Sequence, residues 1–170
     1  MQTASTKSTL KSGNEIDFFF NYDAAATESK QTNQFLAVLD VYSDDPQNLK
    51  VNLKSANFGE GNYPDNSKHR WLIRTHEGYS LSLDIKKFDL EKDLDALTVY
   101  AVQTSGTRKL VSDVTVAQQL DARTNQLLVV FHSDCSVTRE GFSAVVSVAR
   151  EATQTKTVSL AAAQSDTSIY

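Results

Sequence analysis

Histidine, serine and aspartate stand side by side at His132, Ser133 and Asp134, the three residue types of a hydrolytic relay. Neighbours in an extended chain point to opposite faces, so these three cannot line up as one. Glu91 and Asp95 are a pair of carboxylates four positions apart. General-acid work needs a carboxyl buried in a cleft, and nothing in the sequence argues for that here. His69, His76 and His132 show no metal-ligand spacing. The single cysteine, Cys135, is an inert thiol, a reactive one or an intermolecular disulfide partner. There is no glycine-rich phosphate loop and no N-x-[S/T] sequon. No enzymatic activity is expected, which leaves binding or structural roles.

The elements that must position these residues read as strands. Gln126–His132 carries Leu127, Val129 and Phe131 on one face and Leu128, Val130 and His132 on the other. That composition suits a strand covered on both sides. Gly141 closes a polar interval, Ser133 to Glu140. After it Phe142, Ala144, Val146 and Val148 alternate with Ser143, Val145 and Ser147, the period of a half-buried strand. Residues 15–22 and 34–42 alternate in the same way, the first with Phe18-Phe19-Phe20 in its middle, which leaves Phe19 covered by neighbouring chain or exposed as a contact residue. Further strands are expected at 51–55, 71–73, 80–85, 97–102 and 109–117, the last with Leu110, Ser112, Val114 and Val116 on one side. Ser43-Asp44-Asp45-Pro46 is a turn, because Asp side chains bond local backbone and proline fixes its own φ. Residues 1–14, rich in Ser, Thr and Lys, read as a flexible terminus. Residues 155–160 read as an edge strand or an extended tail. No repeat and no helical period appears, and many short strands with turns between them predict an all-β sandwich.

Bulk properties narrow the partners. In 170 residues there are 17 basic and 21 acidic side chains, a net charge of −4, with no basic block. Nucleic acid and anionic membrane are poor partners for such a chain. No apolar run is long enough to span a bilayer, and the opening MQTASTKSTLKSG lacks the apolar core of a signal peptide. A chain of this size buries roughly 70% of its unfolded surface on folding and needs no covalent staple.

An ordered set of motifs resembles the CUB domain family. The set is Asn57-Phe58, then Asn62-Tyr63-Pro64-Asp65-Asn66, then Trp71-Leu72-Ile73. Glu77-Gly78-Tyr79 follows, with Leu81, Leu83 and Ile85, then Phe88-Asp89-Leu90-Glu91 and Asp95-Ala96-Leu97-Thr98-Val99-Tyr100. Ser133-Asp134-Cys135-Ser136 before Gly141-Phe142-Ser143-Ala144 completes it, so that residues 51–149 are covered. The resemblance implies an antiparallel jelly-roll sandwich at 51–150. The strands of 15–50 are expected to pack on it as an added pair, and 151–170 to be a further strand or a tail. The chain departs from the family in its cysteines: His69 stands where the first bridge would begin, and no cysteine lies between Glu91 and Asp95. Packing must then supply the roughly 2–4 kcal/mol that a bridge gives.

The resemblance also implies a site. In the family's calcium-binding members the ligands correspond to Glu91, Asp95 and Asp134, with added oxygens from Ser136 and Val137. Calcium takes several hard oxygens, and two loops at one end of a sandwich can supply them. The loop between Glu91 and Asp95 is shorter than is usual there, and the tyrosine that supports the site has no match around Lys50 and Val51. The alternative is three solvated acids in polar turns. The implied function is an extracellular or cell-surface binding module. It would take a protein or carbohydrate partner at the loops bearing Glu91, Asp95, Asp134, Arg139 and Glu140. The rival reading is a structural subunit of a surface layer or filament that self-associates by strand addition.

Overall fold

A computed structural model describes residues 2–10, 15–18 and 35–149. Among these residues eleven strands follow in chain order. They are β1 (Gln2–Leu10), β2 (Glu15–Phe18), β3 (Phe35–Ser43), β4 (Lys50–Lys54), β5 (Ser67–Arg74) and β6 (Ser80–Asp89). Then come β7 (Ala96–Val102), β8 (Arg108–Val114), β9 (Gln119–Asp121), β10 (Gln126–His132) and β11 (Gly141–Ala149). The turn expected at Pro46 is one turn of 3-10 helix, Pro46–Asn48.

The strands form two sheets. One has six, in the order β1-β3-β5-β10-β7-β8, and the other five, β2-β4-β11-β6-β9. From β5 and β4 onward every pairing is antiparallel, while β1 on β3, β3 on β5 and β2 on β4 are parallel. The all-β sandwich expected from the alternation is therefore present. Its N-terminal strands do not make a pair with each other: β2 extends one sheet and β3 the other. Gln2–Leu10, within the stretch read as a flexible terminus, lies in register beside β3. Its threonines favour extended backbone, and a polar strand is tolerated at a sheet edge. Phe19 and the strand expected at 155–160 lie outside the described residues.

Alternation puts one face of each central strand into a single core. Trp71, Ile73, Leu97, Val99, Leu127, Val129 and Phe131 come from the six-stranded sheet; Val51, Leu53, Leu81, Leu83, Phe142 and Val146 face them from the other. Trp71 and Phe142 meet edge-on across the layers at 5.6 Å between centroids, and Phe131 lies 5.7 Å from Phe142. His69 is buried against Trp71 and Phe131, 5.6 Å from each. At the sequence position where the resemblance places a cysteine, the chain packs an aromatic ring.

Strand β8 departs from the expected pattern. Its register against β7 slips between Val99 and Tyr100, so that Val99 faces Ser112 but Tyr100 faces Leu110. The extra residue re-aims the side chains before it. Val114 is buried, whereas Leu110 is 52% exposed, and Val116, beyond the strand's end, is 59% exposed. Among the described residues no helix is long and apolar enough to cross a membrane.

Candidate functional site

The ends of β6 and β10, where the chain leaves the sheets toward β7 and β11, lie together at one end of the sandwich. Leu90 is buried there, and Glu91, the next residue, emerges half-buried. The connection then turns tightly: Asp93 takes a positive φ of 65°, and the Asp95 N–H donates to the Glu91 carbonyl at 3.2 Å. The short loop therefore brings its two acids together. Ser133, after β10, is buried, and its hydroxyl donates to the Pro64 carbonyl at 2.8 Å while accepting from the Ser67 N–H at 2.9 Å. Asp134 follows, half-buried, and its carbonyl accepts from the Asn66 N–H at 2.6 Å.

One oxygen from each of Glu91, Asp95 and Asp134 lies within 4.8 Å of the others. Hydrogen bonds fix the set. Asp95 Oδ1 accepts from the Asp134 N–H at 2.9 Å, and Asp134 Oδ1 accepts from the Ser136 N–H at 2.8 Å. The Ser136 hydroxyl stands 2.9 Å from Glu91 Oε2 and 2.7 Å from Asp134 Oδ1, bridging the two loops. Those contacts from Ser136, hydroxyl first and N–H second, hold the Asp134 carboxyl below its ordinary pKa.

Tyr63 supports the cluster. Its hydroxyl donates to Asp95 Oδ2 at 2.5 Å and accepts from the Glu91 N–H at 3.0 Å. Burial, and then the bond to Asp95, push the Tyr63 hydroxyl well above the ordinary tyrosine pKa, so that it stays a donor. Its ring packs edge-on against Phe131 at 5.2 Å, which ties the cluster to the core. No supporting tyrosine was expected from the residues around Lys50 and Val51; the role falls to Tyr63. The signal was present in Asn62-Tyr63-Pro64, read only as a fold motif. A second hidden support is Gly141, at φ 100°: a Cβ there would lie 1.9 Å from Ser55 Oγ and 3.3 Å from the Tyr63 ring.

The remaining expected residues sit around this centre. The Val137 side chain is 51% exposed. Arg139 and Glu140 turn to Asp89 rather than to the three acids: Arg139 Nη1 is 3.9 Å from Asp89 Oδ1, and the Glu140 N–H donates to Asp89 Oδ2 at 3.4 Å. The Arg139 carbonyl accepts from the Tyr63 N–H at 3.0 Å. Cys135 is exposed and free. A concavity of about 190 Å³, lined by Phe88, Leu90, Glu91, Asp93, Asp95 and Val114, opens beside the cluster.

This arrangement suits cation binding. Three carboxylates crowded together repel one another, and among the described residues the ion pairs of Arg74, Lys86 and Arg139 go to other acids. A hard divalent cation is the ordinary relief for such a donor set.

Comparison with known proteins agrees with the fold. The CUB domain family matches residues 43–145. Procollagen C-endopeptidase enhancer 1 of Homo sapiens is 36% identical over 100 residues, which is 54% of this chain and 22% of that protein. Tolloid-like protein 2 of Homo sapiens is 25% identical over 146 residues, 80% of this chain and 14% of that protein. The chain thus spans less than a quarter of the length of either relative. Among solved structures, the MASP-1 CUB2 domain bound to Ca2+ superposes with a TM-score of 0.51 at 16% identity, covering 62% of this chain and 96% of that one. The CUB1-EGF-CUB2 domain of human MASP-1/3 gives a TM-score of 0.52 at 19% identity, covering 64% of this chain and 41% of that one.

Proposed function

The chain belongs to the CUB domain family, and we propose that it is an extracellular, non-catalytic binding module whose recognition end is organised by calcium. The observation that carries this reading is the convergence of Glu91, Asp95 and Asp134 within 4.8 Å. Their carboxylates would hold the ion, with further oxygens from the Ser136 hydroxyl and the Val137 carbonyl. Water would complete the shell of hard oxygens that calcium takes. The bound ion supplies positive charge that cancels the repulsion between the two loops and keeps them in one geometry. The chain's own residues do the rest. Tyr63 orients Asp95, Ser136 bridges Glu91 to Asp134, and the Asn66 and Ser67 contacts hold the Ser133–Asp134 turn.

The partner class follows from charge. A basic side chain of a protein partner would meet the Glu91 and Asp134 carboxylates by charge-assisted hydrogen bonds. The neighbouring Arg139–Asp89 and Glu140 positions form the rim of that contact. The likeness to a CUB domain solved with Ca2+ supports the metal, and the likeness to procollagen C-endopeptidase enhancer 1 supports a protein partner.

Titration calorimetry with calcium alone tests the site. The whole chain should bind with a Kd of about 10⁻⁴–10⁻³ M, the range of extracellular modules, and Asp134→Ala should abolish the heat. Absence of binding by the unaltered chain up to roughly 10 mM, an order of magnitude above that range, removes the site.

A further inference from the structure

A second concavity, of about 670 Å³, lies at the end of the sandwich opposite the three acids. Strand β6 runs from Ser80, paired with Ala149, to Asp89, paired with Gly141, so the two ends are roughly 30 Å apart. The concavity opens between the turn from β7 to β8 and the turn from β9 to β10. Backbone bonds pin both turns: the Gln103 N–H donates to the Thr107 carbonyl at 2.9 Å, and the Leu81 N–H to the Thr124 carbonyl at 2.7 Å. Polar groups at its base are engaged within the fold. The Thr124 hydroxyl donates to the Val102 carbonyl at 3.3 Å and accepts from the Gln126 N–H at 3.1 Å, and Asn125 Nδ2 donates to the Thr75 carbonyl at 3.0 Å. The mouth differs. Gln103, Lys109, Leu110, Asp121 and Arg123 line it and are exposed, Leu110 by 52%. Among the described residues no hydrogen bond or ion pair engages the side chains of Tyr79, Gln103, Lys109 or Arg123.

Arg123 is the residue that points to a ligand. Its φ is 47°, a left-handed backbone where glycine or asparagine is at ease and a long side chain is uncommon. Asp121 holds the turn, its Oδ1 accepting from the Arg123 N–H at 3.2 Å. The turn therefore needs no guanidinium, and a less strained residue would serve it. Strain of this kind gathers at ligand-binding positions. We propose that the concavity binds an acidic sugar unit of a glycan, a hexuronate or a sulfated hexose. The class follows from what the wall leaves unmatched. Arg123 and Lys109 call for an anion, which an arginine fork can meet with two bonds. The Gln103 side-chain carbonyl and Asp121 Oδ2 call for donors instead. A carboxylate or sulfate alone has none, whereas sugar hydroxyls supply them beside the anionic group. Tyr79 and Leu110 give apolar surface for the C–H face of the ring. The volume falls within the roughly 300–1,000 Å³ of small-molecule sites.

The test titrates the full chain, labelled with ¹⁵N, with cellobiouronic acid, cellobiose 6-sulfate, neutral cellobiose and the peptide tetra-glutamate. At least one acidic disaccharide should bind with a Kd of about 1 mM or below, shifting the amides of Tyr79, Gln103, Leu110 and Arg123. The tighter of the two identifies the anion. Cellobiose and tetra-glutamate should each bind at least about tenfold more weakly, one for want of charge and the other of hydroxyls. Arg123→Gly should weaken the acidic disaccharide by about tenfold, the loss of one good contact. Its thermal midpoint should hold or rise, because glycine accepts this φ without strain. Absence of shifts up to about 20 mM, well above that Kd, overturns the proposal, as does equal binding of cellobiose or of tetra-glutamate. So does an Arg123→Gly chain that binds unchanged, or one that melts well below the unaltered chain, since the arginine would then serve the turn. Binding that a calcium chelator abolishes, with shifts confined to the loops around Asp134, also overturns it and assigns the sugar to the other end.

Discussion

Replacing His69 with leucine should remove a step in the pH dependence of stability. The imidazole is fully buried among Trp71 and Phe131, and burial lowers its pKa from 6.5 to about 4. In the unfolded chain it protonates near pH 6.5, whereas in the folded chain it stays neutral until about pH 4. Between those values the unfolded state binds the extra proton, so that stability present above pH 6.5 is lost as the pH falls toward 4. A difference of about 2.5 in pKa, at roughly 1.4 kcal/mol each, gives a loss of about 3 kcal/mol over the window. Urea unfolding of the unaltered chain and of His69→Leu, at steps from pH 7.5 to 4, measures it. The acidic groups contribute to both curves and cancel in their difference. The gap between the two should move by about 3 kcal/mol in favour of the variant as the pH falls. Parallel curves, or a His69 ring resonance that titrates near pH 6.5, refute the burial argument.

Tyr63→Phe should weaken calcium about tenfold in calorimetry, because Asp95 and the Glu91 N–H both lose their partner, a change of the order of one good hydrogen bond. Gly141→Ala should cost about 3 kcal/mol in urea unfolding, from a left-handed backbone combined with the clash at Ser55; a loss under about 1 kcal/mol would place the turn elsewhere. Phe142→Ala should cost roughly 3–5 kcal/mol, since the ring fills the centre of the aromatic cluster. Deleting residues 1–45 removes β1, β2 and β3 and uncovers an edge in each sheet. The remaining chain should melt lower or associate in sedimentation.

Strands are legible in this sequence where one face is buried and the period of two is unbroken. Trp71, Leu83, Leu97, Val99, Leu127, Val129 and Phe142 were readable as core and are all buried. The reading fails where the period breaks or where pairing, not pattern, decides. The slip at Val99/Tyr100 turned Leu110 outward, and no local property of 109–117 announces a bulge in a partner's register. Likewise alternation marks β2 and β3 as strands but carries no information about the sheet each joins. Their parallel placement beside β4 and β5 is a long-range choice between two edges.

The site divides along the same line. The family resemblance singled out Glu91, Asp95 and Asp134, and the structure brings one oxygen of each within 4.8 Å of the others. Loop length misled: a short connection need not splay its acids, since the left-handed Asp93 folds it back until Asp95 N–H reaches the Glu91 carbonyl. Tyr63 was missed for a different reason. A residue that donates to one of the acids, accepts from the backbone of another and rests on a core ring acts through contacts 28 and 32 positions away. Its neighbours Asn62 and Pro64 mark a fold motif, and nothing local to them records those contacts. The same tyrosine also bears on Gly141, so the glycine required by the turn keeps the site's donor in place. Packing and the orientation of the three acids therefore share residues at this end, and on the proposed calcium reading a substitution such as Gly141→Ala should depress calcium affinity along with stability, whereas Phe142→Ala should act chiefly on stability.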